Sequence, residues 1–459
     1  MATPPPASAR RLLPLSLGLF QGALLLFFAL FVTYDEPSAV ATEAEDGTRA
    51  AEQLPSIFPL FQDIQVMLAV GLGLLLAFLP RYGLSALAHN FLLLNFSTQW
   101  ALLLQGLRHR YRHGELRLGL HNVLAAEFAA VTVLISVGAV LGRTSPCQLL
   151  AVAFCEVPVY LASEWLIVTQ LGVRDVGGTI TIHVFACYFG LGVSKALFGT
   201  QRQPAHPKET PTPRSDLLAL VGTLTLWVFW PSFMAAPCRP GDAQRRAILN
   251  TLLALSASAV TTVVASSLLE SGGKLSPGHL QNGSLAGGVA IGALADVPIT
   301  PAASLALGSL SSLICLLGFR FLTPLLARRL ALHDHCGIHN LHGLPGILGA
   351  AASAVAVLVV SKDTNRCQLS QVDGSGVAED QGGCGGGRQA LWQVTGLAVA
   401  LGGSLLSGML AGAVLRLPCL APPPEPLCFE DSLNFRIQGQ AESPGMGDTT
   451  EEVALKERV

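Results

Sequence analysis

Asp175-Val-Gly-Gly178-Thr-Ile-Thr-Ile-His183 and Asp334-His-Cys-Gly337-Ile-His-Asn-Leu-His342 are two copies of one nine-residue pattern. In each, an Asp leads, a Gly follows three residues later, a His closes the pattern, and a further Gly (Gly190, Gly349) lies seven beyond it. Both copies stand at the head of a long apolar stretch. Each therefore sets an imidazole inside a membrane helix, where an ionisable side chain is costly and marks function by default. Two such groups at matched places in the two halves of one chain predict a single shared site near the bilayer midplane, built by an internal repeat.

The composition agrees with a membrane setting. Of 459 residues, 51% are hydrophobic and only 13% charged, and the mean hydropathy is +0.52; a soluble average carries about 25% charge. The net charge of -2 creates no field that would attract nucleic acid. No phosphate-cradling loop, nucleophile elbow or zinc spacing is present, so no enzyme chemistry, cofactor or metal site is expected. Most of the ten cysteines fall in apolar segments and read as small buried hydrophobes. Cys367 and Cys384 differ, because both lie in one polar loop that would face outside and could form a disulfide.

About 20 apolar residues cross a bilayer as helix, and on that measure twelve spans are predicted. They cover 13–33, 60–80, 84–106, 121–142, 147–170, 178–199, 216–236, 247–269, 280–298, 300–320, 339–361 and 389–416. The first follows Arg10 and Arg11, as a signal peptide would, but is too long for one and lacks an adjacent small-residue cleavage site. An even count puts both ends on one side. Assuming a cytoplasmic N-terminus, basic residues divide thirteen inside to twelve outside, so the positive-inside rule leaves the orientation undecided. The expected organisation is a cytoplasmic N-terminus (1–12), a twelve-helix transmembrane domain (13–416) and a cytoplasmic tail (417–459). Within the domain lie an acidic outer loop (34–59), a proline-rich linker between the halves (201–215) and a glycine-rich outer loop (362–388). Most of the tail is expected to be disordered. Small-residue runs such as Gly402-Gly-Ser-Leu-Leu-Ser-Gly-Met-Leu-Ala-Gly412 predict close helix packing in lipid.

Removed from water, both imidazoles are expected to stay neutral. A neutral pair can bond nitrogen to nitrogen and still present one donor and one acceptor. Such a site suits a small polar molecule that both donates and accepts, or one that sheds a proton on entry; it offers too few ligands for a metal. The bland alternative, a ring satisfied by a backbone carbonyl, weakens when two histidines recur behind the same Asp and Gly spacing. Asp175 and Asp334 precede their helices, where a carboxylate accepts backbone N–H groups and adds a negative potential that draws cations toward a pore mouth. His333, His335 and His339 cluster near the eleventh span and could line a vestibule, whereas His89 and His121 sit near span ends.

Residues 172–183 and 336–346 resemble the two most diagnostic segments of the Rh glycoproteins, in the ammonium transporter superfamily. Arg81-Tyr-Gly83, residues 133–142, residues 227–233 (Trp-Val-Phe-Trp-Pro-Ser-Phe) and residues 281–290 add to the likeness, which runs from about residue 10 to 437. The resemblance implies an all-α polytopic channel: two inverted five-helix repeats plus one helix, with an extra N-terminal span, assembled as a homotrimer with one pore per subunit. His183 and His342 would be its twin pore histidines, and Phe128 and Phe233 the pair that constricts the outer entrance. Glu164 would be a vestibule acid, and Asp216 an acid at the inner mouth. Two positions depart from the family pattern: Met234 replaces the usual Asn after Phe233, and Glu127 replaces an Asp. Asn95-Phe-Ser and Asn282-Gly-Ser fit a glycosylation signal but fall inside spans.

The implied function is passage of ammonia, and of carbon dioxide as a second gas, across the plasma membrane after ammonium is recruited and deprotonated. Electrogenic ammonium transport is the alternative within transport. A non-conducting structural Rh subunit, organising the membrane through a cytoskeletal or trafficking partner of its tail, is the alternative outside it.

Overall fold

Four of the long helices begin on the same two-residue device. Ser145-Pro146, Thr212-Pro213, Ser276-Pro277 and Thr300-Pro301 each put a hydroxyl at the cap and a proline at the first helical position. The proline needs no partner for a missing N–H, and the hydroxyl accepts an orphaned one two or three residues on. Ser145 Oγ accepts from the Gln148 N–H at 3.1 Å, and Thr300 Oγ1 from the Ala303 N–H at 3.2 Å. These starts divide a nearly continuous apolar sequence into separate rods.

A computed structural model describes residues 7–34, 57–113, 116–199, 206–362 and 386–436. Among these, twelve long helices follow one another: α1 (Ala7–Phe31), α2 (Ile57–Phe78), α3 (Gly83–His113), α4 (Leu120–Val140), α5 (Pro146–Gln170) and α6 (Thr179–Phe198), then α7 (Pro213–Ala235), α8 (Asp242–Leu269), α9 (Pro277–Ile291), α10 (Pro301–Leu330), α11 (His339–Val359) and α12 (Gly386–Leu415). Ten are long and apolar enough to span a bilayer. The other two, α3 and α9, are more polar, with Asn90, Asn95 and Gln99 on one and His279, Gln281 and Asn282 on the other. Every predicted span coincides with a helix. The tenth runs further than expected, to Leu330, through a widened turn at Gly318–Leu322, because its end carries Arg328 and Arg329 on an amphipathic final turn rather than more apolar sequence. Two three-residue strands, β1 (Val32–Tyr34) and β2 (Leu116–Leu118), pair in parallel with Val32 opposite Leu116.

Helix α6 packs along α12, α8 between α9 and α10, α3 on α4, and α2 on α7. Close approach between α6 and α12 depends on Gly408, where a β-carbon would overlap the carbonyl oxygen of Phe189. The central core gathers Ile64, Leu68, Leu134, Phe185, Phe189 and Phe233, all under 2% exposed. Since α6 and α11 are sixth and eleventh in order, an odd number of crossings separates them, and the two copies of the Asp…His pattern enter the bilayer from opposite faces.

The first part of the tail is ordered. Residues 417–436 lie as a strap across one end of the helix bundle. Phe429 is fully buried in a notch at Gly142, its N–H donating to the Gly142 carbonyl at 2.9 Å. Asp431 accepts the Leu84 and Ser85 N–H groups at 3.2 and 2.7 Å, and so caps the start of α3 from the far end of the chain. These anchors are single residues in a proline-rich stretch without hydrophobic period, which is why composition alone reads as unstructured.

Candidate functional site: a buried histidine pair

The two Asp-led patterns fold alike. Gly178 (φ +69°) and Gly337 (φ +72°) hold left-handed turns that L side chains avoid. The turn folds each chain back so that the leading carboxylate meets the free N–H groups of the following helix. Asp175 Oδ2 accepts from the N–H groups of Ile180 (2.9 Å) and Thr181 (2.7 Å) and from the Thr181 hydroxyl (2.9 Å). Asp334 accepts from the N–H groups of Ile338 (3.0 Å) and His339 (2.9 Å). Beyond each turn the helix opens to a π-type turn, Thr179–Val184 and His339–Gly343, and each carries its histidine. The His183 N–H bonds back to Gly178 O at 2.9 Å, five residues away. Such bulges turn a side chain off the regular helical course and recur at functional positions.

The result is contact between residues 159 apart: His183 Nδ1 lies 3.1 Å from His342 Nδ1. The rings are near-parallel, 15° apart in plane with centroids at 5.1 Å, and only 2% and 6% exposed. One Nδ1 must donate and the other accept, so one shared proton satisfies both. His183 Nε2 has no partner among the described residues. Trp230 stacks over the other face of His183, with centroids at 5.8 Å and 20° between planes.

Both histidines, Trp230 and Phe233 border a cavity of about 20 Å³ whose other walls are aliphatic, among them Leu68, Leu72, Ile135 and Leu341. A single water needs about 10–15 Å³ by this kind of measure, so the space holds roughly one small molecule. Phe233 meets Phe128 edge to face, with centroids at 4.9 Å. Both phenylalanines stand beside side chains tied to α2: the Ser232 hydroxyl donates to Asp63 at 2.6 Å, and Gln65 donates to Glu127. Met234 is fully buried against Gly177, at the turn that leads into the first histidine.

The remaining predicted positions lie away from the pair. Glu164 is half-buried and accepts from the Tyr160 hydroxyl at 3.4 Å. Asp216, at the start of α7, accepts from Gln281 Nε2 at 3.1 Å. His335 bonds Ala139 O at 2.9 Å, and His339 Nε2 lies 3.2 Å from the Tyr188 hydroxyl. Cys367 and Cys384 fall outside the described residues. Sequence reasoning passed over Asp63 and Trp230. Asp63 carried a usable signal as the one charged residue in 57–78.

The match to known proteins is extensive. Residues 23–420 fit the model of the family described as Ammonium Transporter Family. The chain belongs to the ammonium transporter family. That membership places it among membrane transporters and channels rather than enzymes. "Ammonium transporter Rh type B" of Oryzias latipes is 41% identical over 451 residues, covering 96% of each chain. The Rattus norvegicus protein of the same name is 40% identical, covering 95% of this chain and 96% of that one. Among solved structures, Rh50 of Nitrosomonas europaea superposes with a TM-score of 0.71 at 35% identity, covering 86% of this chain and 94% of that one. Mep2 of Candida albicans shares the fold, with a TM-score of 0.64 at 21% identity. This member of the family is thus a nearly all-helical, multi-pass membrane protein of the Rh type.

Proposed function

We propose that this chain is a plasma-membrane channel that conducts neutral ammonia through a pore within each subunit, with His183 and His342 as its polar station and Phe128 and Phe233 as its outer constriction. The observation that carries the reading is the 3.1 Å contact between the two Nδ1 atoms, at the wall of an otherwise aliphatic cavity behind a phenylalanine pair. An intact ammonium ion would lose its hydration there without gaining a counter-charge, at a cost of many kcal/mol, whereas ammonia forfeits a few hydrogen bonds. Ammonium therefore gives up its proton at the outer mouth: one N–H bond breaks, its electron pair stays on nitrogen, and the proton returns to outside water. Ammonia then offers its lone pair to a ring N–H and its own N–H groups to a ring nitrogen, and takes a proton from water on the inner side. Glu164 and Asp175 on the outer side raise the local ammonium concentration, and Asp216 acts at the inner mouth. The aliphatic walls also admit carbon dioxide, which has no charge to desolvate.

In the homotrimer of this reading, each subunit carries its own rings, cavity and constriction. A cytoskeletal or trafficking partner of the tail is part of the same reading.

The test is proteoliposomes under an imposed ammonium gradient. Lumen alkalinisation by the wild type should be faster than in empty vesicles and should fall at least tenfold in His183→Ala, without electrical current in either. Unchanged alkalinisation in that variant would remove the pair from the path; a current that scales with the gradient would favour net ammonium transfer.

A further inference from the structure

Where the strap crosses the inner ends of the helices it leaves a cleft of about 250 Å³. Its lining includes Arg143, in the turn after α4, Gln148, in the first turn of α5, Arg416, at the end of α12, and Pro422 and Glu425 of the strap. We propose that this cleft is a binding site for a phosphate-bearing anion, held by Arg143 and Arg416.

Arg143 is the first ground. Its side chain is 3% exposed, yet its nearest carboxylate contacts are long: Glu209 at 3.5 Å and Glu425 at 3.8 Å. A charge-assisted bond from arginine normally closes to about 2.7–2.9 Å. Neither carboxylate is well placed to shorten. Glu209 is shared with His335 Nε2 at 3.3 Å and the His206 N–H at 3.0 Å, and Glu425 is 65% exposed and faces water. Arg143 Nε has no partner among the described residues, and the Phe429 ring, 5.4 Å away, covers one face of the guanidinium. A buried fork of five donors is left with no short bond.

Arg416 is the second ground. It is exposed on the lining of the same cleft, and its side chain has no bonding partner among the described residues. Arg143 and Arg416 are the two cations of the lining and Glu425 its one carboxylate, while Glu209, outside the lining, lies 3.5 Å from Arg143. Two guanidinium groups on one half-open space suit a tetrahedral dianion, which can accept from more than one fork. The rest of the lining includes Phe198, Leu415 and Pro423, so a ligand with a short carbon body beside its phosphate fits better than the bare ion. A small phosphomonoester and a lipid headgroup of the inner leaflet both answer that description. Either would bridge strap and helices, and so hold the strap in place by mass action. This proposal does not depend on what the pore conducts.

The full chain in phosphatidylcholine nanodiscs separates the outcomes. Glycerol 3-phosphate is titrated against its unfolding temperature, and in a second arm phosphatidic acid is added to the disc. A saturable rise with glycerol phosphate assigns a soluble ligand; a rise with phosphatidic acid alone assigns a headgroup. In either case Arg416→Ala, an exposed position that leaves the fold intact, should weaken binding at least tenfold, while Lys274→Ala, an exposed cation outside the cleft, should not. No rise with either probe, an unchanged affinity in Arg416→Ala, or equal losses in the two variants would overturn the site.

Discussion

At the scale of single residues, the geometry of the histidine pair rests on two carboxylates that do not line the cavity between the rings and Phe233. Asp175 takes three hydrogen bonds through one oxygen, and by fixing the turn at Gly178 it sets the angle at which His183 leaves the backbone. Asp175→Ala would strand the Ile180 and Thr181 N–H groups, and each buried orphan costs roughly 1–3 kcal/mol. Thermal unfolding in detergent should show a loss of about 2–3 kcal/mol. Asp175→Asn, which keeps an acceptor oxygen, should lose less than half of that. This much was legible in the sequence, because Asp, Gly and His at equal spacing in two apolar settings imply one geometry built twice. The nitrogen-to-nitrogen contact was legible as a consequence. What the spacing could not reveal is the support on α2: Asp63 and Gln65 come close to Phe233 and Phe128 only through tertiary packing, and a lone polar residue in a span does not announce its partner.

At the scale of elements, each of the twelve predicted spans overlaps a helix and ten of those helices are long and apolar enough to cross a bilayer, yet the contacts between them are decided by residues that length ignores. Gly402 and Gly408 stand on the same helix and look equivalent in sequence. A β-carbon at Gly408 would overlap the Phe189 carbonyl, whereas one at Gly402 meets nothing within 4 Å. Gly408→Ala should therefore destabilise the chain by about 1–3 kcal/mol through overpacking, since backbone cannot move aside as a flexible side chain can. Gly402→Ala should be neutral or slightly stabilising, because alanine is the better helix former by up to about 1 kcal/mol. Paired melting curves of the two variants check this; equal losses would mean that the Gly408 contact is not what holds α6 to α12. The π-type turns were equally invisible beforehand, because their cause is the left-handed glycine and the carboxylate acting together rather than any propensity of Thr-Ile-Thr-Ile.

At the scale of the whole molecule, the strap joins parts that are distant in sequence: the turn after α2, the turn after α4, the linker between the halves and the loop before α11. Glu209 in the linker is the electrostatic centre of this junction. Burial alone would raise its carboxyl, but the His335 hydrogen bond, the His206 backbone N–H and the neighbouring His335 and Arg143 charges outweigh that and hold it at about 2, against an ordinary 4.5. Because the folded value is depressed, the carboxylate's contribution is fully present above pH 4.5 and is lost as pH falls from there through about 2. Glu430, paired with Lys208 at 2.7 Å, is depressed as well: burial again works against it, but the Lys208 and Ser432 bonds prevail. Both groups therefore weaken the junction in the same acidic direction. Protonating Glu209 removes the partner that His335 and Arg143 share, so the strap should loosen before the helices do. Limited proteolysis of the strap at pH 5 and pH 3 should show faster cleavage at the lower pH in the wild type. Glu209→Gln, already without that charge, should be cleaved readily at pH 5 and gain much less on acidification; an equal pH response in both proteins would relieve Glu209 of this role.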